Sequence, residues 1–454
     1  MLRSFRVENH KSFRDEAELL LLPAYDKSRP VVPVAGIFGA NASGKSNFLD
    51  ALRWLQAAVR ESYAQWEPGA GVPRTPFRLD PDASGRPSAY CVELVLDEGR
   101  YTYGLAVDDD RVVEEWLYTY PHNRKRVIFE RTDGEVRLGS TIPDYRNRGG
   151  QLARQTRDNA LFLSSAAHND LSQTQPVYHW FRAGLQFADG AAVAGGELLR
   201  RLSDEHQRAA VVALIGAADL GIRDITGLDE ERGAAAVRAM LREALSSQEF
   251  MDALAKASDA SPLASLMAQQ MESPQTKDAF LQLLYEQLEG RPDLRPGRLR
   301  FHHGDSRASL TLDEQSAGTR SWIGLVSVAL DAVATGSLMV VDEIDASLHP
   351  QLTARLVNLF RDSDTNPGGA QLLFATHDVT LLDDDVLARD EIWFVEKEPS
   401  SGASRLYPLT DFHPRKNEDV QGRYLAGGYG AVPILADYRF RRAVGAERAR
   451  DAAA

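Results

Sequence analysis

The chain has one cysteine, Cys91, in 454 residues, so an internal disulfide is excluded. No Cys/His set has the spacing of a zinc site. A reducing, cytoplasmic compartment is the expectation. The N-terminus, "MLRSFRVENHKSF", lacks the apolar stretch of a secretory leader. Long uninterrupted apolar runs are also missing. The most apolar window, Trp322 to Glu343, contains Asp331 and a break at Gly336-Ser337. It reads as a buried helix followed by a buried strand rather than a membrane span. Positive charge is not in excess either: the net charge is -13. That argues against wholesale non-specific binding to DNA or an anionic membrane, and leaves a local basic groove open. Sustained heptads are absent, which argues against long coiled-coil arms. There is no internal repeat and no extended low-complexity tract.

What is present suits a large globular protein with a sizeable core: 43% hydrophobic and 26% charged residues, enough length for two or three domains. "LRSFRVENHKSF" alternates like a strand. "VVPVAGIFG" reads as a short buried strand, and "SNFLDALRWLQAAVRESYAQW" has helical spacing at Phe48, Leu52, Leu55 and Val59. Residues 68–87, rich in Pro and Gly, read as loop. The stretches from "AYCVELVL" to "GEVRLG" alternate between Asp-Glu-Gly, Asp-Asp-Asp and Asp-Gly turns, which predicts an antiparallel meander. Helical spacing then dominates to about Glu289, "GRPDLRPG" reads as a linker, and strand-like "RLRFHH" and "ASLTL" precede the Trp322 helix. The expected domains are 1–194, carrying the first half of an α/β core and an antiparallel β lobe; 195–295, a mostly helical insertion or lid; and 296–454, the second half of the core.

Four stretches carry chemistry. Gly39-Ala40-Asn41-Ala42-Ser43-Gly44-Lys45-Ser46 fits G-x-x-x-x-G-K-[ST], between a strand and a helix, and Asn47 extends it. Backbone N–H groups and the helix N-terminus would hold phosphate oxygens, Lys45 would reach the β- and γ-phosphates, and Ser46 would ligate Mg²⁺. In "LMVVDE" four apolar residues deliver Asp342 and Glu343 to a strand end. Asp342 suits Mg²⁺ through water, and Glu343 suits a general base for the attacking water. In "FATHDVTLLD" His377 is read two ways, as a γ-phosphate contact or as a loop histidine in a turn. In "DEQSAGTRSWIGLVSVAL" Ser316 and Gly318 open a long helix, as an ordinary N-cap or as an anion site.

The order of these stretches, with "VVDEIDASLHP" and "ATHD", resembles the ABC-type ATPase heads of RecF, RecN, the structural-maintenance-of-chromosomes (SMC) proteins and the OLD proteins. Within that clan the chain most resembles the RloA-like bacterial ATPases, through "NALFLSSAAH", "AADLGIRDI", "FHHGDSRASLTLDEQSAGTRSW" and "GRYLAGGYGAVPIL" as well. The resemblance implies an α/β ABC-type head, ATP and Mg²⁺ as cofactors, and a homodimer or higher oligomer that sandwiches nucleotide. It makes Ser316, Gly318 and Thr319 a signature acting in trans, Asp345 to Pro350 a D-loop with Ser347 at the junction, and His377 a switch histidine. Lys11-Ser12-Phe13 resembles the family's first strand, near the nucleotide. The signature departs from the family's Glu-Ser-Asp-Gly-Thr, reading Gln315-Ser316-Ala317-Gly318-Thr319, which bears on the hydrolysis rate. The Q-loop glutamine is not assigned, and Gln151 reads as a solvated residue.

Functionally, the resemblance implies a regulatory or sensor ATPase of bacterial anti-phage defence, working with a separately encoded effector, a nuclease or TOPRIM-type protein. Too little chain follows His377 for a C-terminal TOPRIM nuclease like that of the OLD proteins. The alternatives are a RecF-like DNA-repair or chromosome-maintenance ATPase, and a non-catalytic nucleotide-gated scaffold. Lys45, Asp342, Glu343 and His377 together disfavour the scaffold. A transporter subunit fits less well, because its signature lies nearer the phosphate loop. Nucleic acid stays open as a partner through basic stretches at 121–160 (Arg124, Lys125, Arg126, Arg131, Arg137, Arg146, Arg148, Arg154, Arg157) and 439–450, although a solvated face is the simpler reading.

Overall fold

The computed structural model describes residues 1–26, 29–139, 150–188, 202, 205–216, 218, 221–227, 299–304 and 309–433. The expected helices beyond 227, the linker at 290–297 and the basic stretch at 439–450 lie outside them, as do Arg146 and Arg148. The chain forms two compact units, one of residues 1–188 and 331–454, the other of 189–330.

Two sheets build the first unit. One is antiparallel and seven-stranded, in the order β2-β1-β4-β5-β6-β7-β8. Its strands are β1 (Leu2–Glu8), β2 (Ala17–Leu20), β4 (Ser88–Leu96), β5 (Gly99–Val107), β6 (Val112–Thr119), β7 (Arg126–Thr132) and β8 (Glu135–Leu138). The meander read from residues 88–138 is present, and the N-terminal strand joins its edge. Asp133 and Gly134 both take positive φ, 49° and 84°, between the paired Thr132 and Glu135. A two-residue turn with that geometry matches the twist of the flanking strands, which explains the Asp-Gly choice.

The other sheet has six strands in the order β16-β15-β3-β14-β13-β9. They are β3 (Val34–Phe38), β9 (Leu185–Ala188), β13 (Leu338–Val341), β14 (Gln371–Thr376), β15 (Ile392–Lys397) and β16 (Ser404–Pro408). All pairings are parallel except β15–β16. Every residue of β3, β13 and β14 is buried, the continuous apolar run expected of a parallel sheet covered on both faces. Helix α1 (Lys45–Glu61) buries Phe48, Leu52, Leu55 and Val59 in a core shared with β1, β4 and β5. Phe48 meets Phe5 and Phe13 edge-on, with ring centroids 5.3 and 5.6 Å apart.

Residues 68–87 are largely loop, with one short helical turn, α2 (Pro81–Ser84), capped by Asp80. The segment "NALFLSSAAH" leads into α4 (Phe162–His168), after α3 (Gly150–Gln155). Buried Glu115 of β6 accepts from the N–H groups of Phe162 at 2.6 Å and Leu163 at 2.9 Å, and from the Tyr103 hydroxyl at 3.0 Å. Buried Arg131 of β7 donates to the carbonyls of Ala160, Arg157 and Asp158. Burial raises the Glu115 carboxyl above the usual carboxylate range, against the pull of Arg131 and the donated hydrogen bonds. Helices α5 (Gln175–Ala183) and α8 (Pro350–Arg361) complete this unit's longer helices among the described residues.

In the second unit α6 (Glu205–Gly216) accompanies a three-stranded antiparallel sheet of β10 (Ile222–Gly227), β11 (Leu299–His303) and β12 (Ser309–Leu310). Val211, Ile215, Ile222, Ile225, Leu299, Phe301 and Ile323 form its core. Ile323 belongs to α7 (Ala317–Thr335), the helix expected at Trp322.

Candidate functional site

The phosphate-type loop leaves β3 at Gly39 and enters α1 at Lys45. Ala42 (φ 60°) and Gly44 (φ 120°) fold it back on itself. A Cβ on Gly39 would run into the Val395 carbonyl, and one on Gly44 into the Ser404 and Ser12 hydroxyls. Gly39 is therefore fixed by close approach, and Gly44 by close approach as well as by its positive φ.

Asn41 to Asn47 line a cavity of about 660 Å³ with Glu343, Asp345, Ala346, His377 and Lys397. The sheet topology assembles these residues: β3, β13, β14 and β15 all deliver their C-terminal ends here, the edge where open parallel sheets place ligands. A smaller adjoining cavity of about 170 Å³ brings Ser46 and Asp342 together, with Lys11, Asp50 and Arg53.

Lys45 is buried. Its ammonium donates to the Gly39 carbonyl at 2.8 Å and the Ala40 carbonyl at 3.2 Å, and lies 3.4 Å from His377 Nδ1. Burial pulls its pKa below the ordinary lysine value, although Asp342, Asp345 and Glu343 favour the charged form. The cation is held by its own loop's backbone.

Glu343 has φ 51°, a left-handed conformation unusual for this residue type. It turns the chain sharply off β13, and the Ala346 N–H closes back on its carbonyl at 2.8 Å. Asp345 reaches across to β14, accepting from the Thr376 hydroxyl at 2.6 Å and the His377 N–H at 3.2 Å. The residues after Glu343 thus fix the peptide that carries His377. Ser347 (φ 63°) is exposed and lines neither cavity. His349 caps α8, with Pro350 at its first position. Gln151 is exposed.

Ser316, Gly318 and Thr319 belong to the second unit. Ser316 Oγ accepts from the Thr319 N–H at 3.1 Å and sits 2.8 Å from Thr319 Oγ1, a helix N-cap arrangement. Gln315 is buried, with its amide oxygen 3.1 Å from His303 Nε2.

A hard oxygen pair, the Ser46 hydroxyl and the Asp342 carboxylate, shares the small cavity, and this donor set fits Mg²⁺, which keeps several waters and takes few protein ligands. Among the described residues no group of three His, Cys, Asp or Glu side chains could hold a metal alone, and no helix is long and apolar enough to cross a membrane.

The sequence did not point to Lys397 or to the Ser404 hydroxyl behind the loop, whereas Ser12 lies in the Lys11-Ser12-Phe13 segment read as near the nucleotide. Asn47 Nδ2 donates to Ser12 Oγ at 2.8 Å, and Ser12 Oγ lies 2.8 Å from Ser404 Oγ. Ser404 stands far from the loop in sequence, in a stretch with no motif.

No curated protein is significantly similar to the chain. Among solved structures, the "SMC head domain from Thermotoga maritima" is 11% identical with a TM-score of 0.37, over 90% of this chain and 98% of that one. The "SmcHead bound to the C-winged helix domain of ScpA" is 13% identical with a TM-score of 0.38, over 91% and 99%. Both likenesses are distant. Residues 34–383, which run from the first residue of β3 past His377, match the family described as "AAA domain, putative AbiEii toxin, Type IV TA system". A match over well over half of the chain, containing the phosphate loop and the Asp342-Glu343 strand end, makes this protein a member of that AAA-domain family of P-loop ATPases.

Proposed function

We propose that the chain binds and hydrolyses ATP, dimerises around the nucleotide, and acts as the regulatory ATPase of a bacterial anti-phage defence system with a separately encoded effector. The observation that carries the catalytic part is the convergence of Lys45, Ser46, Glu343 and His377 on one cavity at the phosphate loop. In this reading Gly39 to Asn47 wrap the phosphates, and Lys45 exchanges its backbone carbonyls for the β- and γ-phosphate oxygens. Ser46 and Asp342 would hold Mg²⁺, Asp342 through water. The bound ion would offset phosphate charge and fix phosphate geometry. Glu343 accepts a proton from the attacking water, and His377 contacts the γ-phosphate, kept in place by Asp345. The defence role rests on the resemblance to RloA-like ATPases and is supported more loosely by the family's toxin–antitoxin description.

Dimerisation rests on the signature-like Ser316-Ala317-Gly318-Thr319, whose helix start suits an anion presented by a second copy. Each composite site would take Lys45 and Glu343 from one chain and Ser316 and Gly318 from the other, with Ser347 near the junction. Lys45→Ala and Ser316→Arg chains, each inactive alone, should recover part of the ATPase rate once mixed and allowed to exchange subunits. One site in each mixed dimer is intact. No recovery after demonstrated exchange counts against the shared site, provided ATP also fails to dimerise Glu343→Gln.

One observation favours a second reading, action on nucleic acid. The turn after β6 and the start of β7 expose Arg124, Lys125 and Arg126, with Lys125 3.7 Å from Glu130. Duplex or single-stranded DNA titrated against wild type and an Arg124→Ala/Arg126→Ala variant should then show salt-dependent binding that the variant loses.

A further inference from the structure

The phosphate loop is held from behind by two hydroxyl groups, those of Ser12 and Ser404, drawn from opposite ends of the chain. Ser404, on β16 and 3% exposed, donates from Oγ to the carbonyl of Ser43. A hydroxyl has one proton. The 2.8 Å contact between the Ser404 and Ser12 hydroxyls is therefore a donation by Ser12. Ser12 Oγ in turn accepts from Asn47 Nδ2 at 2.8 Å. The order is Asn47 to Ser12 to Ser404 to the Ser43 carbonyl, each hydroxyl both accepting and donating, which is the arrangement in which successive bonds reinforce one another. The Ser404 N–H adds a bond to the Ser12 carbonyl at 2.7 Å, locking β16 to the segment after β1.

The geometry has a consequence for the loop. The Ser43–Gly44 peptide is trans, so its carbonyl and its N–H point in opposite directions. With the carbonyl turned to Ser404, the Gly44 N–H points away from Ser404, and Ser43 and Gly44 both line the cavity. Gly44 cannot carry a side chain because Ser404 and Ser12 stand where its Cβ would be. We propose that Ser404 is a positioning residue for nucleotide binding: its hydroxyl sets the Ser43–Gly44 peptide so that the Gly44 N–H faces a phosphate oxygen. This rests on the reading of the loop as the nucleotide site.

The test is titration of wild type, Ser404→Ala, Ser404→Cys, Ser12→Ala and Lys45→Ala with fluorescent ATP and ADP, alongside the thermal shift each nucleotide induces. Ser404→Ala should bind both nucleotides about 3- to 10-fold more weakly, the effect of one neutral hydrogen bond. Its nucleotide-induced thermal shift should shrink, which a purely structural loss would not cause. Ser404→Cys, a weak donor of similar size, should fall between, and it serves if the alanine variant folds poorly. Ser12→Ala leaves the bond to Ser43 in place and should lose less. Unchanged affinity in folded Ser404→Ala or Ser404→Cys, with binding lost in Lys45→Ala, overturns the role of Ser404. So does a Ser12→Ala loss as large as that of Ser404→Ala. Unchanged affinity in Lys45→Ala overturns the nucleotide site itself, and the proposal with it.

Discussion

The two sheets of the first unit handle buried charge in opposite ways. In the seven-stranded sheet Glu115 and Arg131 are buried and turned to fixed protein partners: two N–H groups and a tyrosine hydroxyl for the acid, three carbonyls for the base. At the C-terminal edge of the six-stranded sheet Lys45, the first residue of α1, is buried on two carbonyls of the preceding loop, and Asp342 and Glu343 stand exposed after β13. Taking charge out of water is costly in both places. One region compensates that cost within the fold, so its charges are architecture. In the proposed reading the other holds Lys45 for an incoming phosphate, which makes its charges available for chemistry. Substitutions in the first should cost stability, and in the second, function.

The sharpest break of this contrast is Glu343→Gln. Turnover should fall by about 10²- to 10⁴-fold, the usual range for losing a general base, while ATP binding stays. Steady-state phosphate release measured with nucleotide titration checks it, and unchanged turnover removes Glu343 from the chemistry. Next comes Glu115→Ala, expected to cost about 3 kcal/mol of stability or more, because the Phe162 and Leu163 N–H groups and the Tyr103 hydroxyl lose their buried acceptor at about 1–3 kcal/mol each. Denaturant melts should show the loss, and the folded fraction should still bind ATP normally. A third, smaller effect is expected from Lys45→Ala. ATP should bind about 10- to 100-fold more weakly, the scale of a charged hydrogen bond. The melting temperature without nucleotide should hold or rise, because a desolvated cation is gone. A large drop in that temperature would place Lys45 with the architectural charges.

The smallest effect concerns Glu391, beside β15. Burial pushes its carboxyl up to about 7, against the pull of Arg361, whose Nε lies 3.1 Å away. The folded state therefore holds a proton that the unfolded state, near the ordinary glutamate value of 4.5, has already released. Stability from this group is greatest below the unfolded value and is lost as pH rises toward the folded one. Melting curves of wild type against Glu391→Gln should show wild type losing ground between about pH 5 and pH 7. A gain over that interval contradicts the assignment.

Local patterns made much of this legible. The loop at Gly39 to Ser46 and the strand end at Asp342-Glu343 are written in consecutive residues, and alternation with Asp-Gly punctuation wrote the meander. The edge strand β9 was not legible, because "LQFA" is too short to show a period and owes its place to pairing with β13. Nor was Ser404, which is made relevant by a contact spanning 361 residues. Asp345 was read with its junction loop, but its grip on Thr376 and the His377 N–H follows from the parallel neighbours β13 and β14, which only the assembled sheet brings together.

Strand β3 lies between β14 and β15, and both of those partners come more than 330 residues later in the chain. At ribosomal rates of about 5–20 residues per second, that strand waits on the order of tens of seconds for either neighbour. Throughout synthesis "VAGIF" is an apolar segment with two unpaired edges, the kind of surface that recruits other chains. A ribosome stalled before Gln371 would release no partial ATPase, only a fragment prone to aggregate. The order of strands in the finished sheet therefore makes the protein's yield depend on uninterrupted translation.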